Sequence, residues 1–372
     1  MESVVDSEIV SFARGAPSPD IVPAQELREC AKRALGKAEV IEALAAYGNP
    51  TGYTPLRRWI ADYYGVEPNQ VFITNGSMQA DAFLFRHLIE PGTVAVVEAP
   101  TYDRTLLMLQ KLRADTVAVP MQTDGVDVDG LEAVLKAGAK PRLAHIIPNF
   151  HNPGGYTLSE SKRRRVVDLA ATHNFVVLED DPYAELDFGG GVPPRMLDMD
   201  TFGHVVYAST FSKTAVPGAR VGFLIGSNEI IEAIAQLATE TYIMPNMLAQ
   251  AIVAEFCYSG MLAENIERVK EALQTRRDAL VQTLNEKLPE LKFVQPGGGY
   301  FLWVELPEDV QVDDLFNAAN GEGVTFVKGT DFFLEGGQHA LRLAFSGVTP
   351  DEIVEGVERL ARAFTSVRDA AR

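Results

Sequence analysis

The feature that most constrains the fold is a repeated alternation of short β-rich runs with helical patterns. Six such runs lie between residues 71 and 225: VFIT (71–74), VAVV (94–97), LAHII (143–147), FVVLE (175–179), VVYAS (205–209) and VGFLI (221–225). Strands that alternate with helices favour a mostly parallel sheet that is covered by helices on both faces. The sequence therefore predicts an α/β fold.

The pattern changes after about residue 265. A long charged helical segment, AENIERVKEALQTRRDALVQTLNEKL, is followed by the strand-like runs YFLWVEL, VTFV and ALRLAF and by a last helix from Thr349. A chain of 372 residues has room for two unequal domains. We predict a large domain over residues 41–265, a small α/β domain over 266–372, and an N-terminal arm over 1–40 that forms part of the small domain.

Charge and composition argue against several classes of partner. A formal net charge of −18 and a pI near 4.8 disfavour nucleic-acid binding. Cys30 and Cys257 cannot build a disulfide framework, and no cluster with metal-ligand spacing joins them to the six histidines. There is no run of eighteen apolar residues, and MESVVDSEIV lacks the pattern of an export signal. We expect a cytoplasmic protein with no metal and no membrane partner.

Polar or turn residues follow nearly every predicted strand: TNGS, EAPTY, PNFHNPGG, EDDPY and STFSK. In open α/β sheets, ligands bind beyond the carboxyl ends of the strands, so these residues are expected to gather at one site. Ser77 in TNGS can cap a helix whose first N–H groups favour an anion, although a plain helix cap is the alternative. A dinucleotide is disfavoured, because no G-x-G-x-x-G opens this helix.

Two further strand ends carry groups that suit a ring. EDDPY supplies Asp180, Asp181 and Tyr183, and a buried carboxylate there needs a partner. A protonated ring nitrogen, a metal ion and an arginine all qualify. In HNPGG, Asn152 can hydrogen-bond a phenolate oxygen, or the stretch can be a simple turn.

The segment YASTFSKTAVPGARVGF contains one lysine, Lys213. It is either a solvated loop lysine or, with its pKa lowered by burial and neighbouring cations, an amine that forms an imine with an aldehyde. Thr210, Ser212 and Arg220 around it suit a phosphate. A lysine, a phosphate cradle, an aromatic plate and a carboxylate for a ring nitrogen together describe a site for pyridoxal phosphate.

In these motifs the chain resembles the class I/II, fold-type I aminotransferases that use pyridoxal 5′-phosphate, and within them the branch of 2-aminoadipate and kynurenine aminotransferases. The resemblance runs from SFARGAPSPD to LRLAFSGV. It implies a fold-type I transferase, with a large domain whose mostly parallel sheet is sandwiched by helices, and a smaller α/β domain. It also implies transamination between an L-amino acid and a 2-oxo acid through an internal aldimine on Lys213.

The resemblance implies roles for individual residues. Lys213, Asp180 and Tyr183 are the implied catalytic residues, with Asp180 on the pyridine nitrogen and Tyr183 and Asn152 on the ring oxygen O3′. Tyr102 would stack on the ring. The implied cofactor-binding residues are Ser77, Met78, Gln79, Tyr102, Asn152, Asp180, Tyr183, Thr210, Ser212, Lys213, Arg220 and Tyr47.

The implied substrate residues are Arg342, which would bind the α-carboxylate, together with Asn152, Arg14 and Gly15. Relatives often have Gly-Gly where this chain has Arg14 and Gly15, so Arg14 either meets a distal carboxylate or forms a structural salt bridge. Tyr47 matches a tyrosine that reaches the phosphate of a neighbouring subunit, which implies a homodimer.

Other functions remain open from the sequence. A lyase, decarboxylase or cyclase can use the same cofactor and fold, and a ligand-sensing protein is an alternative from another class. The amino donor is open among aminoadipate, glutamate, aromatic and branched-chain types.

Overall fold

The computed structural model describes residues 9–370, so the first eight residues of the predicted arm lie outside the described residues. The helices are α1 (Ala24–Leu35), α2 (Ala38–Ala45), α3 (Thr54–Tyr64), α4 (Ser77–Leu88), α5 (Asp103–Lys111), α6 (Val128–Lys136), α7 (Glu160–His173), α8 (Met196–Met199), α9 (Asn228–Tyr242), α10 (Met247–Tyr258), α11 (Met261–Lys287), α12 (Val312–Gly321) and α13 (Pro350–Ala370). The strands are β1 (Val10–Ser11), β2 (Val71–Thr74), β3 (Val94–Ala99), β4 (Asp115–Gln122), β5 (Gly125–Val126), β6 (Leu143–Ile146), β7 (Val176–Asp180), β8 (Val205–Thr210), β9 (Gly222–Ile225), β10 (Lys292–Phe293), β11 (Phe301–Glu305), β12 (Val324–Thr325), β13 (Val327–Lys328) and β14 (Ala340–Ala344).

The large sheet has eight strands in the order β2-β9-β8-β7-β6-β3-β4-β5. Neighbours from β8 to β4 are parallel, whereas β9 runs antiparallel to both β2 and β8, and β5 runs antiparallel to β4. The six predicted strands are all present, with ends within two residues of the prediction. The mostly parallel α/β sheet is therefore confirmed.

The strand β4 was missed because its sequence, DTVAVPMQ, does not look like a buried strand. It contains a proline, and only Val119 along it is fully buried. It pairs with β3 through a full register from Val94–Asp115 to Ala99–Pro120. Tertiary pairing, rather than local pattern, forms this strand.

Helices cover both faces of the large sheet. One apolar core joins it to α4 and α9 through residues such as Phe83, Leu84 and Ile234. The core on the other face joins it to α6 and α7 through residues such as Leu131 and Val166. Because both faces are covered, the strands carry near-continuous apolar runs rather than an alternating pattern.

A smaller antiparallel sheet has the order β10-β11-β14-β13 and shares a core with α11, α12 and α13. The arm joins this part of the molecule through β1, which pairs in parallel with β12. By contrast, α1 packs against α10 in a core of the larger part. The boundary predicted near residue 265 falls inside α11, a helix that contributes Ile266 to the larger core and Leu273 to the smaller one.

The two cysteines are free and buried, and Cys30 Sγ lies 3.8 Å from Met261 Sδ. Over residues 9–370, no helix combines the length and the apolar content that a membrane crossing requires.

Candidate active site

A cavity of about 550 Å³ lies where the carboxyl ends of β7 and β8 face the smaller sheet. Most of the predicted site residues line it: Gly15, Ser77, Met78, Tyr102, Asn152, Asp180, Tyr183, Thr210, Ser212, Lys213, Arg220 and Arg342. Gln79, Tyr47 and Arg14 are not among its lining residues. The side chain of Gln79 accepts the backbone N–H of Asn75 at 2.8 Å, while Tyr47 and Arg14 are exposed.

Lys213 lies in the turn after β8 and points into the cavity. Its Nζ donates to the carbonyl of Gly15 in the arm at 2.8 Å and lies 4.8 Å from the ring centre of Tyr300. Burial, and then the charges of Arg342 and Arg220, lower the pKa of Lys213 to about 8. The uncharged, nucleophilic fraction of the Lys213 amine near neutral pH is therefore much larger than for an ordinary lysine, about a tenth at pH 7.

The phosphate-binding end is predicted at the first turn of α4, and its geometry differs in one detail from the sequence prediction. Gly76, rather than Ser77, is the N-cap residue, and Ser77 is the first helical residue. Gly76 has φ 85°, and a Cβ there would meet Nη2 of Arg220 at 2.0 Å. The missing side chain thus lets the guanidinium lie directly against the helix start, where the helix dipole favours an anion.

Arg220 is held at this place by several contacts. Its Nη1 donates to Ser212 Oγ at 3.2 Å, and its Nη2 donates to the carbonyl of Asn75 at 3.3 Å. Thr210 Oγ1 donates to Ser212 Oγ at 2.9 Å. Two hydroxyls, one guanidinium and a helix N-terminus thus surround one spot, a donor set that suits a phosphate group.

The two adjacent acids at the end of β7 have different surroundings. Asp181 accepts from Asn149 Nδ2 at 2.9 Å and from the Tyr207 hydroxyl at 3.2 Å, so it is tied into the protein interior. Asp180 faces the cavity, with Oδ2 at 3.4 Å from Nε2 of His145 and with Oδ1 unpartnered. A buried carboxylate oxygen without a partner fits a cationic ring nitrogen.

Arg342 on β14 forms the opposite wall of the cavity. Its Nη1 donates to Asn152 Oδ1 at 2.8 Å and its Nη2 to the carbonyl of Ala13 at 2.9 Å. Its guanidinium lies over the rings of Phe301 and Phe332, at 4.3 and 5.0 Å from their centres. Burial lowers the pKa of Arg342 to about 10, and its Nε has no partner. This guanidinium is positioned to bind a carboxylate.

The two tyrosines also face the cavity. Tyr102 is the N-cap residue of α5, and burial raises its pKa to about 12. Tyr183 is buried, its ring lies 5.6 Å from that of Tyr300, and burial raises its pKa. Both hydroxyls are therefore protonated at neutral pH and can donate hydrogen bonds.

Sequence reasoning missed several residues in or beside the lining, among them Asp81, His145, Phe301 and Phe332. Two of them had a local signal. Asp81 follows Ser77 by four residues and so shares its helix face, and His145 is the one polar residue in the apolar run LAHII. Among the described residues, Asp81, His145 and Asp180 also form a group whose ligand atoms lie within 4.8 Å of one another, as a metal site would require.

Comparison with known proteins gives a consistent picture. A model of the family described as aminotransferase class I and II matches residues 8–360. The chain is 34% identical to aromatic-amino-acid aminotransferase 1 of Thermococcus litoralis, over 98% of this chain and 90% of that protein. It is 35% identical to 2-aminoadipate transaminase of Thermus thermophilus, over 96% of this chain and 90% of that protein.

A solved structure is similar over nearly its whole length. The crystal structure of LysN, an α-aminoadipate aminotransferase from Thermus thermophilus complexed with N-(5′-phosphopyridoxyl)-L-leucine, superposes with a TM-score of 0.92. The two chains are 34% identical, and the match covers 97% of this chain and 93% of the other.

Proposed function

The chain belongs to the family of class I and II aminotransferases, and from this premise we propose a role for each group that lines the cavity. The protein is a pyridoxal phosphate-dependent aminotransferase, which moves an amino group from an L-amino acid to a 2-oxo acid. The observation that carries the residue assignments is the position of Lys213, an amine of lowered pKa in a cavity that also contains Arg220, Asp180 and Arg342.

The cavity fits the cofactor at each of its polar ends. Ser77, Thr210, Ser212, Arg220 and the backbone at Met78 and Gln79 would hold the phosphate, and the missing side chain of Gly76 leaves the space that the Arg220 guanidinium occupies there. Asp180, with its unpartnered oxygen, would hold the protonated ring nitrogen. When bound, the pyridine ring supplies a sink for the electrons left at Cα after a bond to that carbon breaks.

The remaining ring contacts come from three side chains. Tyr102 would lie against the ring face, while the Tyr183 hydroxyl and the Asn152 amide would hydrogen-bond the ring oxygen O3′. Asn152 Oδ1 accepts from Arg342, so its Nδ2 would be the atom that donates to O3′. This shared contact would also link the ring to the residue that binds substrate.

Lys213 has two roles in the proposed mechanism. It would hold the cofactor covalently, and its Nζ would take the proton from the substrate Cα and return it on the other side of the transferred nitrogen. An amine with a pKa near 8 suits both directions of this transfer, because neither its charged nor its neutral form is strongly favoured. The carbonyl of Gly15 orients the amine through its hydrogen bond.

Arg342 would bind the substrate α-carboxylate. The rings of Phe301 and Phe332 lie against the guanidinium, and its Nε has no partner, so Nε and the second hydrogen of Nη2 would make a planar, two-bond contact. This contact fixes the direction in which the Cα–H bond points, which is a requirement for attack by a single amine.

Charge at the cavity wall supports a donor with a neutral side chain. The lining cations are Arg104, Lys213, Arg220 and Arg342, and Arg104 lies 3.3 Å from Asp103. The other three have the roles given above, so within the described part of the chain a distal carboxylate on the substrate would find only Arg104 in the lining, and Asp103 already neutralises part of its charge. Such a carboxylate would need Arg14, which is exposed on the arm, and that contact is the role we propose for Arg14 with acidic donors.

A spectral titration tests both the reaction and the donor class. The holoenzyme is mixed with single amino acids, and the cofactor band should be lost with each true donor and restored by a 2-oxo acid. Aromatic and branched-chain donors should act at lower concentration than glutamate or aminoadipate, and Arg14→Ala should weaken only the acidic donors. A band that shifts without restoration by any 2-oxo acid would contradict transamination and favour a lyase or decarboxylase.

We also propose a homodimer and a cytoplasmic location. The homodimer is supported by the exposure of Tyr47, which is 86% accessible in the single chain although tyrosine usually buries most of its ring. In a dimer, Tyr47 would reach the phosphate of the partner subunit. Two free cysteines support a reducing compartment, and cell fractionation tests it.

A further inference from the structure

The cavity contains a second buried carboxyl group besides Asp180. Asp81 lies on α4, four residues after Ser77, and therefore on the same helix face. Its side chain is 1% exposed, yet it lines the cavity, and its Oδ1 has no hydrogen-bond partner. None of the roles assigned above uses this group.

Asp81 belongs to a compact polar cluster with His145 and Asp180, whose ligand atoms lie within 4.8 Å of one another. One atom in each residue is unpartnered: Asp81 Oδ1, His145 Nδ1 and Asp180 Oδ1. His145 Nε2 lies 3.4 Å from both Asp180 Oδ2 and Thr105 Oγ1. No lysine or arginine among residues 9–370 is within ion-pair distance of Asp81.

Two buried carboxyl groups this close cannot both be ionised at low cost. Asp180 Oδ2 lies 3.4 Å from His145 Nε2 and feels the charge of Lys213, whereas Asp81 shares the cluster with His145 but forms no ion pair within residues 9–370. Burial, and then the charge on Asp180, raise the pKa of Asp81 well above its usual range. A further proton at this end of the cavity therefore belongs on Asp81.

We propose that Asp81 is a positioning residue that stays protonated beside Asp180 and leaves Asp180 as the single negative charge facing the ring nitrogen. The inference rests on the proposed function, because it assigns Asp180 to that nitrogen. As a neutral acid, Asp81 offers an O–H donor to the Asp180 carboxylate, and the spacing of the cluster admits a direct contact or one water between them. One carboxylate then faces one cationic ring.

Infrared spectroscopy tests the protonation state without any reaction. The wild-type holoenzyme and Asp81→Asn are compared in the region where protonated carboxylic acids absorb. A carbonyl-stretch band that is present near neutral pH in the wild type and absent in Asp81→Asn supports the proposal. The absence of any such difference would overturn it. Stoichiometric binding of a divalent metal ion that displaces the proton of Asp81 and removes the band would also overturn it.

A pH titration of the absorbance of the bound cofactor tests whether Asp81 acts on the cofactor through Asp180. The measured quantity is the midpoint of this titration. Asp81→Asn keeps a neutral donor of the same shape, so its midpoint should match the wild type. Asp81→Leu removes the donor, leaves Asp180 with more of its charge uncompensated, and should raise the midpoint by about 1 pH unit. Glu98→Gln, which changes a buried acid outside the cavity lining, is the matched control and should shift nothing.

The other outcomes contradict the proposal in different ways. If Asp81 is ionised, both substitutions remove a negative charge and both lower the midpoint. If Asp81 is only a packing residue, neither substitution moves it. Should Asp81→Leu fail to fold, Asp81→Asn and the infrared band decide the question. The variant Asp180→Asn distinguishes a failure of the role proposed for Asp81 from a failure of the proposed function. An unchanged cofactor spectrum in this variant would contradict the proposed function itself, whatever the infrared result.

Discussion

At the residue scale, the site depends on a lysine placed where its charge is disfavoured. Lys213 lies among rings, beside two arginines, and with one carbonyl as its hydrogen-bond acceptor. Burial of a charged amine costs free energy, and the folded protein carries that cost in order to have a reactive amine. The same physics that makes Lys213 useful therefore makes it destabilising.

We predict that Lys213→Met stabilises the cofactor-free protein in a pH-dependent way. The folded-state pKa is about 8 against an ordinary 10.5, so the unfolded chain binds more protons between these values and wild-type stability rises with pH there. The full cost is present below pH 8. At pH 7 the variant should gain up to about 3 kcal/mol in free energy of unfolding, and the gain should vanish near pH 10.5.

Urea unfolding of the cofactor-free proteins across this pH range measures the effect. Lys111→Met, at an exposed lysine, is the control and should show no such pH dependence. A constant difference between Lys213→Met and the wild type at every pH would mean that packing of the methionine, rather than charge, sets the result. With cofactor added, Lys213→Met should also lack the imine absorbance band.

At the element scale, the start of α4 shows how far local sequence can predict a site. TNGS predicts a helix start with a glycine turn, and the structure has both. Capping preference alone favours serine as the N-cap, whereas the structure has Gly76 there. The contact of Arg220 with Gly76 joins residues far apart in the chain, so the local pattern does not show it.

We predict that Gly76→Ala weakens cofactor binding. An added Cβ would meet the Arg220 guanidinium at 2.0 Å, and the positive φ of 85° is strained for alanine. The strain alone should cost about 1 kcal/mol of stability. Displacement of Arg220 should weaken cofactor affinity by about tenfold or more, since it removes a charge-assisted contact to the phosphate.

Equilibrium dialysis of the cofactor against each variant checks this. Gly65→Ala is the matched control, because Gly65 also has a positive φ, of 71°, but has nothing within 4 Å of the added Cβ. It should lose a similar amount of stability while keeping its affinity for the cofactor. Equal affinities in the two variants would refute the role given to the Gly76–Arg220 contact.

The arm is a second element whose placement depends on one close approach. Phe12 packs against α13 at Gly356, where an added Cβ would meet the Phe12 ring at 2.6 Å. Residues just after Phe12 supply the carbonyls of Ala13 and Gly15 to Arg342 and Lys213. The helix surface at Gly356 thus fixes the part of the arm that orients Arg342 and Lys213.

We predict that Gly356→Ala raises KM for the amino donor more than it lowers kcat. Overpacking should cost about 1–3 kcal/mol of stability and shift the arm, which loosens Arg342 first. Gly321→Ala is the control, because it adds a Cβ on α12 with nothing within 4 Å. Steady-state kinetics of the two variants measure KM and kcat. An unchanged KM in Gly356→Ala would show that the arm does not position Arg342.

At the scale of the whole molecule, the sequence predicted strands and motifs well and the spatial arrangement poorly. A strand that is buried on both faces, such as β8, appears in the sequence as a nearly continuous apolar run, here VVYAS. The strand can therefore be predicted from local sequence. The hydrogen bond from Arg342 to Ala13 joins residues 329 positions apart, and no local pattern encodes it. The spacing of Asp81 from Ser77 is local, but its closeness to residues of β6 and β7 is not encoded by any local pattern.

Self-association is the last property that belongs to the whole molecule. An apolar patch, formed by Ile41, Leu44, Tyr47, Ile243 and Leu248, is exposed in the single chain. The two segments that carry it are joined, because the N–H of Gly48 lies 2.9 Å from Met244 Sδ. Exposed apolar clusters of this kind mark interaction surfaces, and the occupant we propose is a second copy of this chain.

We predict that Leu44→Asp shifts the protein from dimer to monomer and weakens cofactor binding at the same time. The two effects should be coupled, because Tyr47 lies outside the cavity of its own chain and can reach a phosphate only across the interface. Sedimentation velocity gives the first effect and cofactor titration the second. Phe202→Asp, at another exposed ring, should change neither. Tyr47→Phe should weaken cofactor binding but keep the dimer. A monomeric Leu44→Asp variant with full cofactor affinity would contradict the role of Tyr47 and would mean that the cavity is complete within one chain.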